Sequence, residues 1–168
     1  MAKQQVLLIG GTGFIGSAIV ERLLQSEEFE VHLMIRPSSR GKENRRQELA
    51  QTHLYTDVSE ASLKQLFTQL DPNICIINLV GVLHASQAFP YGPEFKEAHI
   101  DIVRAIIAAM RAHRLQRYIH MSALGADSQG PSMYLRSKGE AELLVKASGL
   151  DWTIVRPSVV FGETDNFI

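Results

Sequence analysis

The chain has almost no cysteine. Cys75 is the only one in 168 residues, so neither an intrachain disulfide nor a thiolate metal site is available. It lies in the apolar run Ile74-Cys75-Ile76-Ile77, where a buried, inert thiol is expected. Net charge is also lacking. Seventeen Lys and Arg against 18 Asp and Glu leave a formal −1, which gives no electrostatic reason to expect nucleic acid or an anionic membrane as partner. No apolar run is long enough to span a bilayer. Lys3 precedes an apolar stretch in the manner of a signal peptide, but Gly10, Gly11, Gly13 and Gly16 interrupt it. These absences lead us to expect a cytoplasmic protein. His32, His53, His84, His99, His113 and His120 show no metal-ligand spacing, so no metal site is expected. A GKS/T phosphate loop is missing too, which leaves nucleotide hydrolysis unsupported.

What is present is a regular alternation of two hydrophobic periods. The composition, 45% hydrophobic and 21% charged, is that of an ordinary soluble domain with a sizeable core. Val6–Ile9, Val31–Ile35, His53–Tyr55, Ile74–Val80, Tyr118–Met121 and Trp152–Val155 read as strands. The continuous apolar run at Ile74–Val80 suits a parallel strand covered on both faces. Helical spacing runs from Phe14 to about Gln25, over Leu63, Leu66, Phe67 and Leu70 behind a Ser59 cap, through Phe95–His113, and from a Ser132 cap to Ser148. Ser38–Gln51 is polar and basic and reads as a loop with a weak helix. Six strands joined by right-handed crossovers predict an α/β fold, a doubly wound parallel sheet of the Rossmann type in the order 3-2-1-4-5-6. Its ligand crevice would lie beyond the C-terminal ends of strands one and four. Neither repeat nor linker divides residues 1–168, which are read as one nucleotide-binding domain.

The first strand runs directly into Gly10-Gly11-Thr12-Gly13-Phe14-Ile15-Gly16, and a helix leaves that turn. Glycine lets the backbone approach a pyrophosphate, and the helix offers amides and its positive dipole end to the phosphates. A lone glycine pattern is weak, but one placed between a strand and a helix is specific for a dinucleotide. NAD sites place an acid at the end of the second strand, to bind the ribose 2′-hydroxyl. Here Arg36 stands there, followed by Pro37-Ser38-Ser39-Arg40. A guanidinium suits a 2′-phosphate and stacks on adenine, so NADP(H) is expected over NAD(H), which stays the alternative. The competing reading makes Arg36 one of a run of solvated loop charges with Lys42, Arg45 and Arg46. Asp57-Val58, after the third strand, offers a carboxylate and an amide to the adenine edge.

Tyr134-Leu135-Arg136-Ser137-Lys138 places a phenol and an ammonium at i and i+4 on one helical face. An adjacent ammonium favours phenolate and so lowers the phenol's pKa, which suits a proton donor or acceptor at neutral pH. The lysine also suits a nicotinamide ribose. Ser122, ending the fifth strand, presents a hydroxyl for polarising a carbonyl. The bland alternative is an amphipathic helix with Tyr134 packed on the sheet and Lys138 in water.

These residues resemble the extended and atypical short-chain dehydrogenase/reductases. The glycine turn, Asp57-Val58, Asn78-Leu79-Val80-Gly81, Tyr134/Lys138 and Arg156-Pro157-Ser158-Val159-Val160-Phe161-Gly162 fall in family order along the whole chain. Ile119–Ala126, Tyr134–Lys138 and Arg156–Gly162 are worded most like the branch of the NADPH-binding accessory subunit of respiratory complex I. The resemblance implies pyrophosphate at Gly10, Gly13, Phe14 and Ile15, with Thr12 in the same turn. It implies adenosine at Arg36, Asp57 and Val58, a crevice lined by Leu79, Val80 and Gly81, and a nicotinamide end at Pro157, Ser158 and Val159. It also implies Tyr134, Lys138 and Ser122 as the catalytic set of an oxidoreductase or a nucleoside-diphosphate-sugar epimerase acting on an unidentified small molecule. A departure favours the alternative, a non-catalytic NADPH-binding structural or assembly protein: members with a full tetrad carry asparagine where this helix has His99. Association with a membrane complex or as a homo-oligomer would accompany that reading. Extended members continue past the sixth strand with a substrate-binding portion, so the chain is expected to be the nucleotide half of such an architecture.

Overall fold

Each apolar run predicted from the sequence takes its place in one sheet. The computed structural model describes residues 3–35, 51–54 and 58–162. In chain order these are β1 (Gln4–Ile9), α1 (Phe14–Leu24), β2 (Phe29–Ile35), β3 (Gln51–Leu54), α2 (Glu60–Phe67), β4 (Cys75–Asn78), α3 (Pro93–Phe95), a π-helical segment (Lys96–Asp101), α4 (Ile102–Ala112), β5 (Arg117–Met121), α5 (Met133–Lys146) and β6 (Asp151–Val155). The strands are all parallel, in the order β3-β2-β1-β4-β5-β6. The order reverses between β1 and β4, so a crevice opens where their C-terminal ends diverge.

The strand residues divide by the period of two that a sheet imposes. Leu7 and Ile9 of β1 and Ile76 of β4 face a core completed by Leu63 and Phe67 of α2, Val103, Ile106 and Met110 of α4, and Ala141 and Val145 of α5. Val6 and Leu8 face the opposite side, where Leu33, Cys75, Ile77 and Val20 of α1 pack. Covering both faces is what makes the central strands apolar throughout. β6 lies at the sheet edge, and Trp152 and Val155 are exposed there. Burial pushes the Cys75 thiol up, as an inert core cysteine requires.

Both predicted caps form. Ser59 Oγ accepts from the Ser62 amide at 3.2 Å, and Ser132 Oγ accepts from the Leu135 amide at 3.2 Å. Several boundaries differ from expectation, and two of them shape the site. β4 stops at Asn78 because the buried Asn78 Oδ1 accepts the Val80 amide at 3.1 Å and turns the chain, while the Leu79 amide still donates to Ile9 O at 2.8 Å. The helix expected at Phe95–His113 begins at Pro93 and carries the π segment in its first half. β3 begins at Gln51, and the expected weak helix lies, but for that residue, outside the described residues. Among the described residues no helix is long and apolar enough to cross a membrane.

Candidate nucleotide and active site

The glycine turn is tightly constrained. Gly10 has φ +90°, and a Cβ there would lie 3.1 Å from both the Leu79 carbonyl carbon and the Val80 amide nitrogen. A Cβ on Gly16 would collide with the Gly10 carbonyl oxygen and the Gly11 backbone. The turn therefore presses against the end of β4, with no room for side chains. Gly13 caps α1 without a side-chain hydrogen bond. The chemistry of this end suits a diphosphate.

A cavity of about 580 Å³ starts at this turn. Gly10, Gly13, Phe14 and Ile15 of the turn and the start of α1 line it, as do Pro157, Ser158, Val159 and Val160 from the segment after β6. Leu79, Gly81, Met121, Ser122, Tyr134 and Lys138 line it too. The cavity thus gathers residues from the ends of β1, β4, β5 and β6 and from α5. Thr12 lies in the turn and Val80 packs against the core, and neither lines the cavity. Val58 is partly buried against the same core. Arg36 and Asp57 lie outside the described residues. Val82, Leu83, Ala123, Leu124 and Val160 are wall residues that the sequence reading missed. The rule that ligands bind beyond the C-terminal ends of strands would have found the first four.

Lys138 is 3% exposed, and its Nζ donates to Met121 O at 3.1 Å. Burial lowers its pKa to about 8. The Tyr134 ring rests edge-on against Phe95 and His99, with centroids 6.0 and 5.7 Å away. Lys138 Nζ lies 6.0 Å from the Tyr134 ring centroid. The pairing of phenol and ammonium on one face is present, but the expected effect on acidity is reversed. Burial pushes the Tyr134 phenol up, because desolvation of a phenolate dominates at this separation.

His99 ties three elements together. Its Nε2 accepts the Val82 amide at 3.2 Å, and its Nδ1 lies 2.8 Å from Ser137 Oγ. An accepting Nε2 leaves the ring proton on Nδ1, which donates to Ser137; the Ser137 hydroxyl then donates to Tyr134 O at 2.9 Å. Burial first, then the charges of Lys138 and His120, lower the His99 pKa to about 3. His120, also buried, is lowered to about 3 by burial and Lys138.

Ser122 lines the cavity, and its hydroxyl donates to Glu142 Oε1 at 2.6 Å. Glu142 is 2% exposed and also receives Lys146 Nζ at 3.0 Å and Arg156 Nε at 2.6 Å. Burial alone would raise this carboxyl, but the hydrogen bonds from Arg156, Ser122 and Lys146 hold it at about 2. Sequence reading missed Glu142. Its signal was the spacing Tyr134, Lys138, Glu142 at i, i+4 and i+8, which puts all three on one face of α5.

A doubly wound sheet with a tight glycine turn opening into a cavity at its switch point is the setting in which dinucleotides bind. The chain belongs to the NAD(P)H-binding family, whose profile matches residues 10–166. It is 34% identical over 93 residues to the mitochondrial NADH dehydrogenase [ubiquinone] 1 alpha subcomplex subunit 9 of Mus musculus, covering 55% of this chain and 24% of that protein. It is 26% identical over 152 residues to the NAD(P)H azoreductase of Xenophilus azovorans, covering 90% of this chain and 47% of that one. The fold matches a putative NAD-dependent epimerase/dehydratase from Bacillus halodurans with a TM-score of 0.74 at 22% identity, over 97% of this chain and 74% of that chain. The chain thus spans from a quarter to a half of the length of these two curated relatives.

Proposed function

We propose that this chain is an NADP(H)-dependent oxidoreductase that moves a hydride between the coenzyme and a carbonyl or hydroxyl carbon. The observation that carries the reading is that Tyr134 and Lys138 open into the same cavity as the glycine turn. The turn and the start of α1 would hold the diphosphate. Lys138, at the cavity floor, would clamp the nicotinamide ribose. Arg36, with Ser38, Ser39 and Arg40 after it in the sequence, supports the phosphorylated coenzyme, and Asp57 would read the adenine edge. Bound here, the reduced nicotinamide supplies two electrons and a hydrogen as hydride. Tyr134, kept protonated by burial, gives its phenolic proton to the carbonyl oxygen as that oxygen gains charge, and solvent restores the proton afterwards.

The competing reading is a coenzyme-binding structural protein without turnover. The hydrogen bond from Ser122 to Glu142 favours it, as does the relative named as a respiratory-chain subunit. Calorimetry with NADPH and NADH, followed by NADPH oxidation assays over a panel of aldehydes, ketones and quinones, separates the two. The oxidoreductase reading expects NADPH to bind at least 10-fold more tightly than NADH, and Tyr134→Phe to lower turnover by at least 100-fold with little change in NADPH affinity. Tight NADPH binding with no oxidation by any carbonyl selects the structural reading.

A further inference from the structure

The cavity wall is poor in charge where a substrate would enter. Among the described residues Lys138 is its only Lys, Arg, Asp or Glu, and the coenzyme reading already assigns that ammonium to the nicotinamide ribose. The two arginines on neighbouring segments are spent on the protein. Arg156, directly after β6, is paired through Nε and Nη2 with both oxygens of Glu142. Arg136 of α5 donates from Nε to Pro90 O and from Nη1 to Gly130 O, both at 2.8 Å, with its guanidinium 5.7 Å from the Phe89 ring centroid. The Ser122 hydroxyl donates its hydrogen bond to Glu142.

Large apolar side chains occupy the same rim. Leu83 is 52% exposed, Leu124 65% and Val159 77%, and all three line the cavity along with Val160. They come from three segments, after β4, after β5 and after β6, yet line the same cavity as Tyr134. Contiguous exposed apolar side chains at the mouth of a pocket mark a ligand groove. A sugar nucleotide would bring two phosphate charges and a ring of hydroxyls to this wall, and each would lose water without gaining a partner.

Building on the coenzyme reading, we propose that the substrate is an apolar carbonyl compound and not a sugar nucleotide. Its hydrocarbon body lies against Leu83, Leu124 and Val160, and its oxygen points to the Tyr134 phenol. Binding needs no further cation from the protein, and the apolar rim supplies the affinity.

Calorimetry on the protein saturated with NADP⁺ tests this, with 2-naphthaldehyde and UDP-glucose as probes. The oxidised coenzyme fills the site without turnover, so the readout is binding and not activity. 2-Naphthaldehyde is expected to bind at least 10-fold more tightly than UDP-glucose. Leu124→Asp, and separately Leu83→Asp, should each weaken the naphthaldehyde at least 10-fold; both side chains are exposed, so both variants should fold. Tighter binding of UDP-glucose, or naphthaldehyde affinity unmoved by both substitutions, overturns the inference while leaving the coenzyme reading intact. A change of oligomeric state in Leu124→Asp with naphthaldehyde affinity unmoved overturns it in favour of an interface between copies. Failure of the protein to bind either NADP⁺ or NADPH overturns the coenzyme reading and the inference with it.

Discussion

Lys138→Met should make the protein more stable at neutral pH while removing its capacity to hold a coenzyme ribose. Burial is the cause of the lysine's lowered pKa, from 10.5 to about 8. At pH 7 the ammonium is charged in both the folded and the unfolded chain, and the folded state carries the whole desolvation cost. Above pH 10.5 it is neutral in both, and the cost is gone. Stability from this group is therefore present above the unfolded pKa and lost as pH falls through the folded one. The pKa difference corresponds to a ceiling of about 3 kcal/mol. The hydrogen bond to Met121 O is lost in the variant, which returns roughly 1–2 kcal/mol. A net gain on the order of 1–2 kcal/mol remains, worth about 2–8 °C in Tm for a chain of this size. Thermal unfolding of both proteins between pH 6 and pH 11 is the assay. The wild type should gain stability from pH 8 upward and overtake the variant, whose profile should be flatter, as the pH nears 10.5. A variant less stable than wild type at pH 7, or two curves that stay parallel through pH 8–10.5, would refute the argument that burial of the charge costs the fold free energy.

Two other groups give predictions of opposite character. Glu142 has its folded pKa held at about 2 against an ordinary 4.5, so its contribution is present above pH 4.5 and lost as pH falls through 2. Its partners Arg156 and Lys146 are 43% and 45% exposed, and solvent screening trims the cost of Glu142→Gln at pH 7 to roughly 1–2 kcal/mol. Urea unfolding should show wild type and variant converging below pH 3, and equal stability at pH 7 would disprove the clamp. His99 is expected to stay neutral down to about pH 3 with its proton on Nδ1; nitrogen-15 NMR of the ring would show this, and titration near pH 6 or a proton on Nε2 would contradict the bond from Val82.

The sheet could be read from the sequence because its determinants are local. Val6–Ile9 and Ile74–Ile77 are apolar over more than one period of two, and only strands covered on both faces need that. The caps at Ser59 and Ser132 lie beside the helices they start, and the alternation of elements then fixes the order of the strands. The coenzyme end was legible for a similar reason: the collision awaiting a Cβ on Gly16 is written in the spacing of the turn itself. The π segment was not legible, since Lys96–Asp101 carries residues that an α-helix would accept equally. His99 shows what that local widening achieves: one ring reaches both the Val82 amide and Ser137, on two different elements. Charge states were the least legible. The spacing of Tyr134 and Lys138 predicts an ammonium that acidifies a phenol, but burial dominates both groups and moves both toward neutrality. A chemical role assigned from i, i+4 spacing therefore depends on how much water the fold leaves around the pair. Ser122 makes the same point, because twenty residues separate it from Glu142, the carboxylate that accepts its hydrogen bond.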